Sequence, residues 1–312
     1  MATGGGNKAI VAALVANLGI AVTKFVAFAL TASSSMLAEG IHSLADSGNQ
    51  VLLLIGGKRA RRAATPEHPF GYGRERYVYA FVVSIVLFSV GGLFALYEGY
   101  HKWQDPHPIE AWKWVPVVVL VVAVAMESFS FRTAIVESNH VRGTRSWVQF
   151  VKTSKAPELP VVLLEDAAAL LGLVFALFGV SMTLLTDDGH WDAVGTGLIG
   201  ILLVCVAVVL AVEMKSLLIG EGATPEAQRA IEAALVGDGV VSVIHLKTLH
   251  LGPEELLVAA KLEVDAGDSA ADVTRAIDAA QQRVRAAEPI ARVIYLEPDL
   301  RRDPQRLKTD AV

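Results

Sequence analysis

Long apolar blocks separated by short polar links occupy residues 8–219 of the chain. Six blocks reach the roughly 20 residues that an α-helix needs to cross the hydrocarbon core of a bilayer. Hydrophobic residues make up 53% of the 312 residues, which fits this pattern. The sequence therefore predicts six membrane-spanning helices, with approximate bounds 8–30, 35–57, 77–100, 112–135, 160–185 and 193–219.

From Thr224 onward, amphipathic segments replace the apolar blocks. Thr224 followed by Pro225 is typical of a helix start, and two alternating segments joined at Gly252-Pro253 predict two strands. A second amphipathic helix and a third strand follow. We therefore expect an α-helical membrane protein: a six-helix transmembrane bundle (1–220) and a cytoplasmic α+β domain of order αββαβ (221–299). Residues 300–312 are predicted to form a disordered tail.

Positive charge is concentrated in the loops after the second and fourth blocks and in the region after the sixth, although the net charge of the chain is −5. By the positive-inside rule these regions face the cytoplasm. We expect an integral, multi-pass protein of the cell (inner) membrane, with both termini cytoplasmic. The basic residues of the two loops are Lys58, Arg59, Arg61, Arg62, Arg74, Arg76, Arg142, Arg145, Lys152 and Lys155.

Several classes of function have no support in the sequence. Cys205 is the single cysteine, so neither a disulfide framework nor a thiolate metal site is available. A nucleophile elbow, a phosphate loop and an H-E-x-x-H motif are all missing, so we expect no enzyme activity. The basic residues flank membrane spans, which argues against binding to nucleic acid.

The second apolar block carries a polar face. In a helix, Glu39, His42, Asp46 and Asn49 recur every three or four residues and share one side. Carboxylate and imidazole groups at membrane depth are costly unless they face a polar interior or bind an ion. His42 and Asp46 place a nitrogen and an oxygen ligand one helical turn apart, a spacing that suits zinc. This pair is the leading candidate for a metal site.

Further ligands must come from another span, and the fifth block offers Glu165 and Asp166. Because adjacent helical residues lie about 100° apart, only one of the two is expected to point at His42 and Asp46. We favour Asp166, with Glu165 as an outer partner or proton acceptor. Glu127 and Glu98 are weaker candidates, which we assign to packing or to the membrane interface. The competing interpretation is that all these groups simply hold helices together.

The chain resembles the cation diffusion facilitator family of divalent-metal/proton antiporters. The resemblance rests on the spans, H-x-x-x-D in span two, L-L-E-D in span five, the loop H-P-F-G-Y-G-R and the C-terminal αββαβ pattern. It implies a homodimer, a metallochaperone-like C-terminal domain and a transport site shared by spans two and five. It also implies alternating access and efflux of zinc or a similar ion against protons. The matching ligands are His42, Asp46 and Asp166.

The chain departs from the family pattern at several positions. The residue four before the span-five aspartate, usually His or Asp, is Val162. Three protein ligands plus water, or Glu165 as the fourth ligand, would then complete the coordination. In the loop, Tyr72 replaces a second histidine, which leaves His68 a structural role. In the C-terminal domain, His245 and Glu297 match family metal positions. Ala260 and Tyr295 replace histidines there, so we expect no dinuclear site.

The sequence thus favours export of a divalent cation, Zn²⁺ first, with Mn²⁺, Fe²⁺ and Co²⁺ as alternatives, in exchange for protons. Its partners would be the lipid bilayer, the cation, protons and a second copy of the chain. A non-transporting membrane scaffold that has lost the full metal site is the main rival. A channel or carrier of another solute is the third.

Overall fold

The computed structural model describes residues 3–31, 34–106 and 113–300, without the side chains of residues 3–8, 27, 28, 30, 31, 34–39 and 41. Every regular element in the N-terminal part of this range is a helix. Its elements are α1 (Thr3–Thr31), α2 (Ser34–Arg59), α3 (Glu75–Val86), a π-helix (Leu87–Leu93), α4 (Phe94–Gln104), α5 (Trp114–Arg142), α6 (Trp147–Thr153), α7 (Glu158–Thr186) and α8 (His190–Ile219). The predicted tail falls mostly outside the described residues.

Five helical segments of the described chain are long and apolar enough to cross a membrane: part of α1, the continuous α3–π–α4 segment, α5, α7 and α8. The remaining predicted span is α2, which has 26 residues. At 1.5 Å per residue it is about 39 Å long, enough to cross a bilayer. It is not among the five apolar segments, and the polar face that makes it the candidate site also lowers its hydropathy. The predicted architecture of membrane helices followed by a small α+β domain is confirmed.

The helices approach closely where glycines face one another. A Cβ atom built on Gly99 of α4 would lie 2.9 Å from the backbone nitrogen of Gly197 in α8. On α7, a Cβ on Gly179 would lie 2.8 Å from the carbonyl oxygen of Trp191. Small residues permit this kind of contact in membrane bundles. A further cluster of buried apolar side chains joins α1, α5 and α7: Ile20, Leu120, Ala123, Leu173 and Val180.

One segment departs from regular α-helix. Residues Leu87–Leu93 form a π-helix in the middle of the third apolar block. π-Helical turns are rare, and many lie at functional sites. This one contains Gly91, whose position beside His42 matters for the site described below.

The C-terminal elements are α9 (Pro225–Leu235), β1 (Ser242–Gly252), β2 (Glu255–Glu263), α10 (Ala270–Ala287) and β3 (Ala291–Asp299). The sheet has the order β1-β2-β3, with β1 antiparallel and β3 parallel to β2. Thr224 caps α9 as predicted, since its hydroxyl accepts a hydrogen bond from the Ala227 amide. The core consists of apolar residues of α9, α10 and the inner face of the sheet, among them Ile231, Leu256, Val258, Ala280 and Val284.

The chain divides into two compact units. One comprises residues 1–61 and 75–215, and the other residues 62–74 and 216–312. The basic loop after α2 therefore belongs with the C-terminal unit. Within that unit, Gly73 packs against the end of β1, where an added Cβ would lie 2.7 Å from the Leu251 carbonyl oxygen. A side chain at residue 73 would force the loop away from the strand.

Candidate metal centre

The polar face of α2 turns inward. Asp46, Asn49 and Gln50 are buried, and His42 is half-buried. His42 Nε2 lies 3.6 Å from Asp46 Oδ2, so the two predicted ligands are neighbours on one side of the helix. A separation of four residues brings two side chains together on one face of an α-helix, so the short distance follows from the spacing in the sequence.

The neighbouring helix α1 adds a cation. Lys24 is buried at 3% exposure, and its Nζ donates a hydrogen bond to Ser43 Oγ on α2 at 2.9 Å. The side chain thus points into the bundle instead of reaching for the membrane surface. It places a positive charge next to the candidate ligands.

The two acidic residues of α7 make different contacts. Glu165 accepts hydrogen bonds from Asn49 Nδ2 at 2.9 Å and from Gln50 Nε2 at 2.7 Å. Asp166 accepts one from Ser130 Oγ of α5 at 2.7 Å. Glu165 therefore connects α7 to α2, and Asp166 connects α7 to α5. Both carboxylates are buried, as a site inside the bundle requires.

A cavity of about 40 Å³ lies between α1, α2, α5, α7 and α8, large enough for a water molecule or a small cation. His42, Asp46, Lys24 and Glu127 all line it. The cavity thus brings two carboxyl groups and an imidazole beside a single ammonium. Each carboxyl and the imidazole can bind a cation once it has lost its proton.

Glu127 lines the same cavity, although the sequence assigns it to packing or to the membrane interface and not to the metal site. It is 2% exposed on α5 and shares the cavity with His42 and Asp46. A signal was available: Glu127 and Ser130 are three residues apart, so they lie on one face of an apolar helix. The same periodicity that identified α2 therefore also picks out this polar face of α5.

Several buried oxygens near these carboxylates have no hydrogen-bond partner among the described residues. They are Asp166 Oδ1, Asn49 Oδ1 and Gln50 Oε1. Unpaired buried polar atoms are costly, so such a set favours a bound cation or water. Within the described part of the chain, however, no three His, Cys, Asp or Glu side chains are arranged closely enough to hold a metal ion. Asp46 is within electrostatic range of Asp166 and Glu165, and like charges repel unless a cation lies between them.

Val162 occupies the position one turn before Asp166. It is fully buried in α7 and offers no donor atom. The protein ligands near the cavity are thus one imidazole and several carboxylates.

The secondary candidates are scattered. The Glu39 side chain lies outside the described part of the structure. Asn49 is engaged with Glu165, as described above. His68 stacks edge-on against Tyr72 at 4.7 Å between ring centroids, and Tyr72 Oη lies 3.1 Å from Thr65 Oγ1. These contacts give His68 a role in shaping the loop.

In the C-terminal unit, Lys261 stands between His245 and Glu297. It pairs with His245 on β1 and with Glu297 on β3 in the strand register. Its Nζ lies 2.9 Å from Asp299 Oδ2 and 3.2 Å from Glu297 Oε1. Hydrogen bonds to Asp299 and Glu297 hold the pKa of Lys261 above its ordinary value, so the ammonium stays charged. A fixed positive charge between the two candidate ligands opposes metal binding there.

Comparison with known proteins places these features in a family. Residues 10–219 match the cation efflux transmembrane domain. The mitochondrial proton-coupled zinc antiporter SLC30A9 of Xenopus laevis is 32% identical over 84% of this chain and 47% of its own length. Metal tolerance protein C4 of Arabidopsis thaliana is 27% identical over 82% of this chain and 57% of its own length. An uncharacterized transporter of Methanocaldococcus jannaschii is 24% identical over 94% of this chain and 98% of its own length.

The chain spans about half the length of the first two of these relatives. The match to the family domain nevertheless covers the helices of the N-terminal unit and the polar face of α2. The chain therefore belongs to the cation efflux, or cation diffusion facilitator, family of multi-pass membrane transporters.

Proposed function

We propose that this protein exports a divalent transition-metal cation, zinc first, from the cytoplasm in exchange for protons. The observation that carries the proposal is the cavity inside the helical unit, which is lined by His42, Asp46 and Glu127. Asp166 and Glu165 are buried nearby on α7. The protein ligands proposed for the cation are His42, Asp46 and Asp166, with Glu165 or Glu127 completing the set.

Exchange for protons follows from the chemistry of these ligands. An imidazole and carboxylates bind a metal only when deprotonated, so loading the cation releases protons and protonation releases the cation. Rearrangement of the helices would then expose the same groups to either side in turn. A relative named as a proton-coupled zinc antiporter supports this coupling.

The choice of metal rests on the donor atoms. His42 favours zinc, cobalt or iron(II) over magnesium and calcium. The remaining candidates are oxygen ligands, which also suit manganese. We therefore propose zinc as the first substrate and Mn²⁺, Fe²⁺ or Co²⁺ as alternatives within the same mechanism.

Transport in liposomes tests the proposal directly. The purified full chain is reconstituted, and movement of zinc, manganese, iron(II) and cobalt is measured against opposing pH gradients. We expect zinc to move, and its rate to fall as the pH on the loading side falls, because protons compete for the ligands. A chain that moves none of the four metals would contradict the proposal.

Such a negative result would favour the second candidate, a membrane scaffold that has lost transport. Val162 is the observation in its favour, because it removes a ligand that the family pattern usually supplies. The buried, unpaired oxygens near Glu165 and Asp166 oppose it, since a purely structural contact between helices would leave fewer such atoms.

Val162→His is expected to tighten zinc binding by about tenfold or more, because a second imidazole offers zinc a nitrogen ligand in place of a glutamate. Isothermal titration calorimetry of the detergent-solubilised chain measures the change. Val161→His is the matched control, since Val161 is equally buried on α7 but about 100° away on the helix. An unchanged affinity in Val162→His would indicate that Glu165 already fills the fourth position.

We also infer where the parts of the protein lie. The two basic loops, after α2 and after α5, lie at the same end of the membrane helices and support cytoplasmic termini in the cell (inner) membrane. The C-terminal unit would then be a cytoplasmic domain, and its exposed sheet face a surface available to a second copy in a homodimer. Cross-linking of the full chain in its native membrane would test the dimer.

His245→Ala is expected to leave the zinc stoichiometry of the full chain unchanged. The reason is the charged Lys261 between His245 and Glu297. Inductively coupled plasma mass spectrometry of the purified protein measures bound metal per chain. His42→Ala is the comparison variant, and it is expected to lose metal. A loss in His245→Ala would show that the C-terminal unit binds zinc despite the lysine.

A further inference from the structure

A second cavity lies on the other side of His42. It has a volume of about 40 Å³ and is lined by His42, by Glu98 and Lys102 of α4, and by Thr196 of α8. His42 lines the first cavity as well. His42 therefore forms part of the wall of both cavities.

The charges of the second cavity are unevenly compensated. Lys102 Nζ lies 2.9 Å from Asp192 Oδ2 and 3.3 Å from Thr196 Oγ1, so its positive charge is held at the α8 side. Glu98 is half-buried and makes no hydrogen bond or ion pair with any residue of the described chain. An uncompensated carboxylate facing a cavity attracts cations.

The backbone keeps this cavity open next to the imidazole. The π-helix presents Gly91 to His42, and a Cβ on Gly91 would lie 3.3 Å from His42 Cε1. That is tighter than an ordinary van der Waals contact, so even an alanine would crowd the ring. Because Gly91 has no side chain, this part of the cavity wall does not crowd the His42 ring.

The chain direction locates this cavity within the membrane helices. The α3–π–α4 segment begins at Glu75, just after the basic loop, and Glu98 lies 23 residues further on. At 1.5 Å per residue that is about 34 Å, roughly the thickness of the hydrocarbon core. Asp192 and Thr196 lie in the first turns of α8, following the link from α7. Glu98 is thus at the end of the helices opposite the basic loops.

We propose that the second cavity is the release route for the transported cation, with Glu98 as a transient ligand between His42 and the far side of the membrane. The inference rests on the transport function proposed above. The ligand is a divalent cation, held by one carboxylate and water. A single carboxylate binds such an ion weakly, which suits a position that the ion must leave quickly. The ion pair with Asp192 neutralises the Lys102 ammonium, so this ammonium repels the cation less.

The decisive variant is Glu98→Gln, which keeps the size of the side chain and removes its charge. In reconstituted liposomes the maximal zinc transport rate is expected to fall by about tenfold or more. Zinc affinity, measured by calorimetry in detergent, is expected to stay within about twofold of wild type, because His42 and Asp46 are untouched. Glu137→Gln is the control, since Glu137 is a partly exposed carboxylate on α5 that lines neither cavity.

Two results would overturn the release route while leaving the transport function intact: a wild-type rate in Glu98→Gln, or a loss of zinc affinity as large as the loss of rate. A wild-type chain that transported no metal would overturn the transport function, and the release route with it.

Chemical labelling tests access to the cavity independently of transport. In a Cys205→Ser background, Ala95→Cys places a thiol on the cavity wall. A membrane-impermeant thiol reagent is expected to modify it from the side opposite the termini. Val208→Cys, on the exposed side of α8, is expected to be protected by lipid. An Ala95→Cys chain that resists labelling from that side would overturn the route.

Discussion

Replacing Asp46 by Asn should abolish metal-driven proton flux, with a fall of at least about 100-fold in the transport rate. Asn keeps the size of the side chain but loses the charge that binds the cation. Asp46 is buried, lines the same cavity as His42 and Glu127, and lies 3.6 Å from the imidazole. The substitution would leave the cavity without the carboxylate that lies one helical turn from His42, and a neutral amide is a much weaker ligand for a transition-metal cation. Flux is measured with a pH-sensitive dye inside zinc-loaded liposomes.

Asp166→Asn is expected to have an effect of the same size, because Asp166 carries an oxygen without a partner among the described residues. The control is Asp188→Asn, an exposed carboxylate in the link between α7 and α8, which should transport at the wild-type rate. Gel filtration of each variant checks that the protein remains folded. Unchanged flux in both Asp46→Asn and Asp166→Asn would remove the proposed site.

Much of the fold follows from local patterns in the sequence. The length of an apolar block predicts a span, and strict alternation of apolar and polar residues predicts a strand. Both signals are local, because each depends on the sequence of one element only. The start of α9 at Thr224 and the αββαβ order are examples. The π-helix at Leu87–Leu93 could not be predicted in this way. Its sequence contains no proline, and its glycines, Gly91 and Gly92, do not by themselves distinguish a π-turn from an α-helix. Its geometry depends on how Leu203 and Val204 of α8 pack against these glycines.

The part of the site that lies on α2 can be predicted from the sequence, but the contacts between helices cannot. His42 and Asp46 are fixed relative to each other by helical geometry, so their proximity follows from their spacing. Which α7 acid contacts α2 depends on the rotation of α7, and tertiary packing determines that rotation. The sequence favours Asp166 as the acid that points towards α2. In the structure, Glu165 is the acid that accepts hydrogen bonds from Asn49 and Gln50 of α2. Glu127 likewise reaches the cavity only because α5 packs against both α1 and α7.

The contact of Glu165 with α2 has consequences for stability as well as for transport. Glu165 is buried and accepts hydrogen bonds from two amides on α2. Each such bond contributes about 0.5–1.5 kcal/mol, and a buried partner left unsatisfied costs a further ~1–3 kcal/mol. Losing one leaves the carboxylate partly unpaired in a medium that cannot solvate it, which is among the most costly changes in a membrane helix.

Gln50→Leu is therefore expected to lower the free energy of unfolding by about 2 kcal/mol. Glu165→Leu removes the other partner of the hydrogen bond. The double variant should lose less free energy of unfolding than the sum of the two single losses, and the difference, the coupling energy, should be about 1–3 kcal/mol. Unfolding by sodium dodecyl sulfate in mixed micelles measures the three variants. Ser138→Ala is the control: it removes a buried hydroxyl that has no partner among the described residues, so little stability should be lost. Strictly additive single variants would show that Glu165 and Gln50 do not stabilise the α2–α7 contact directly.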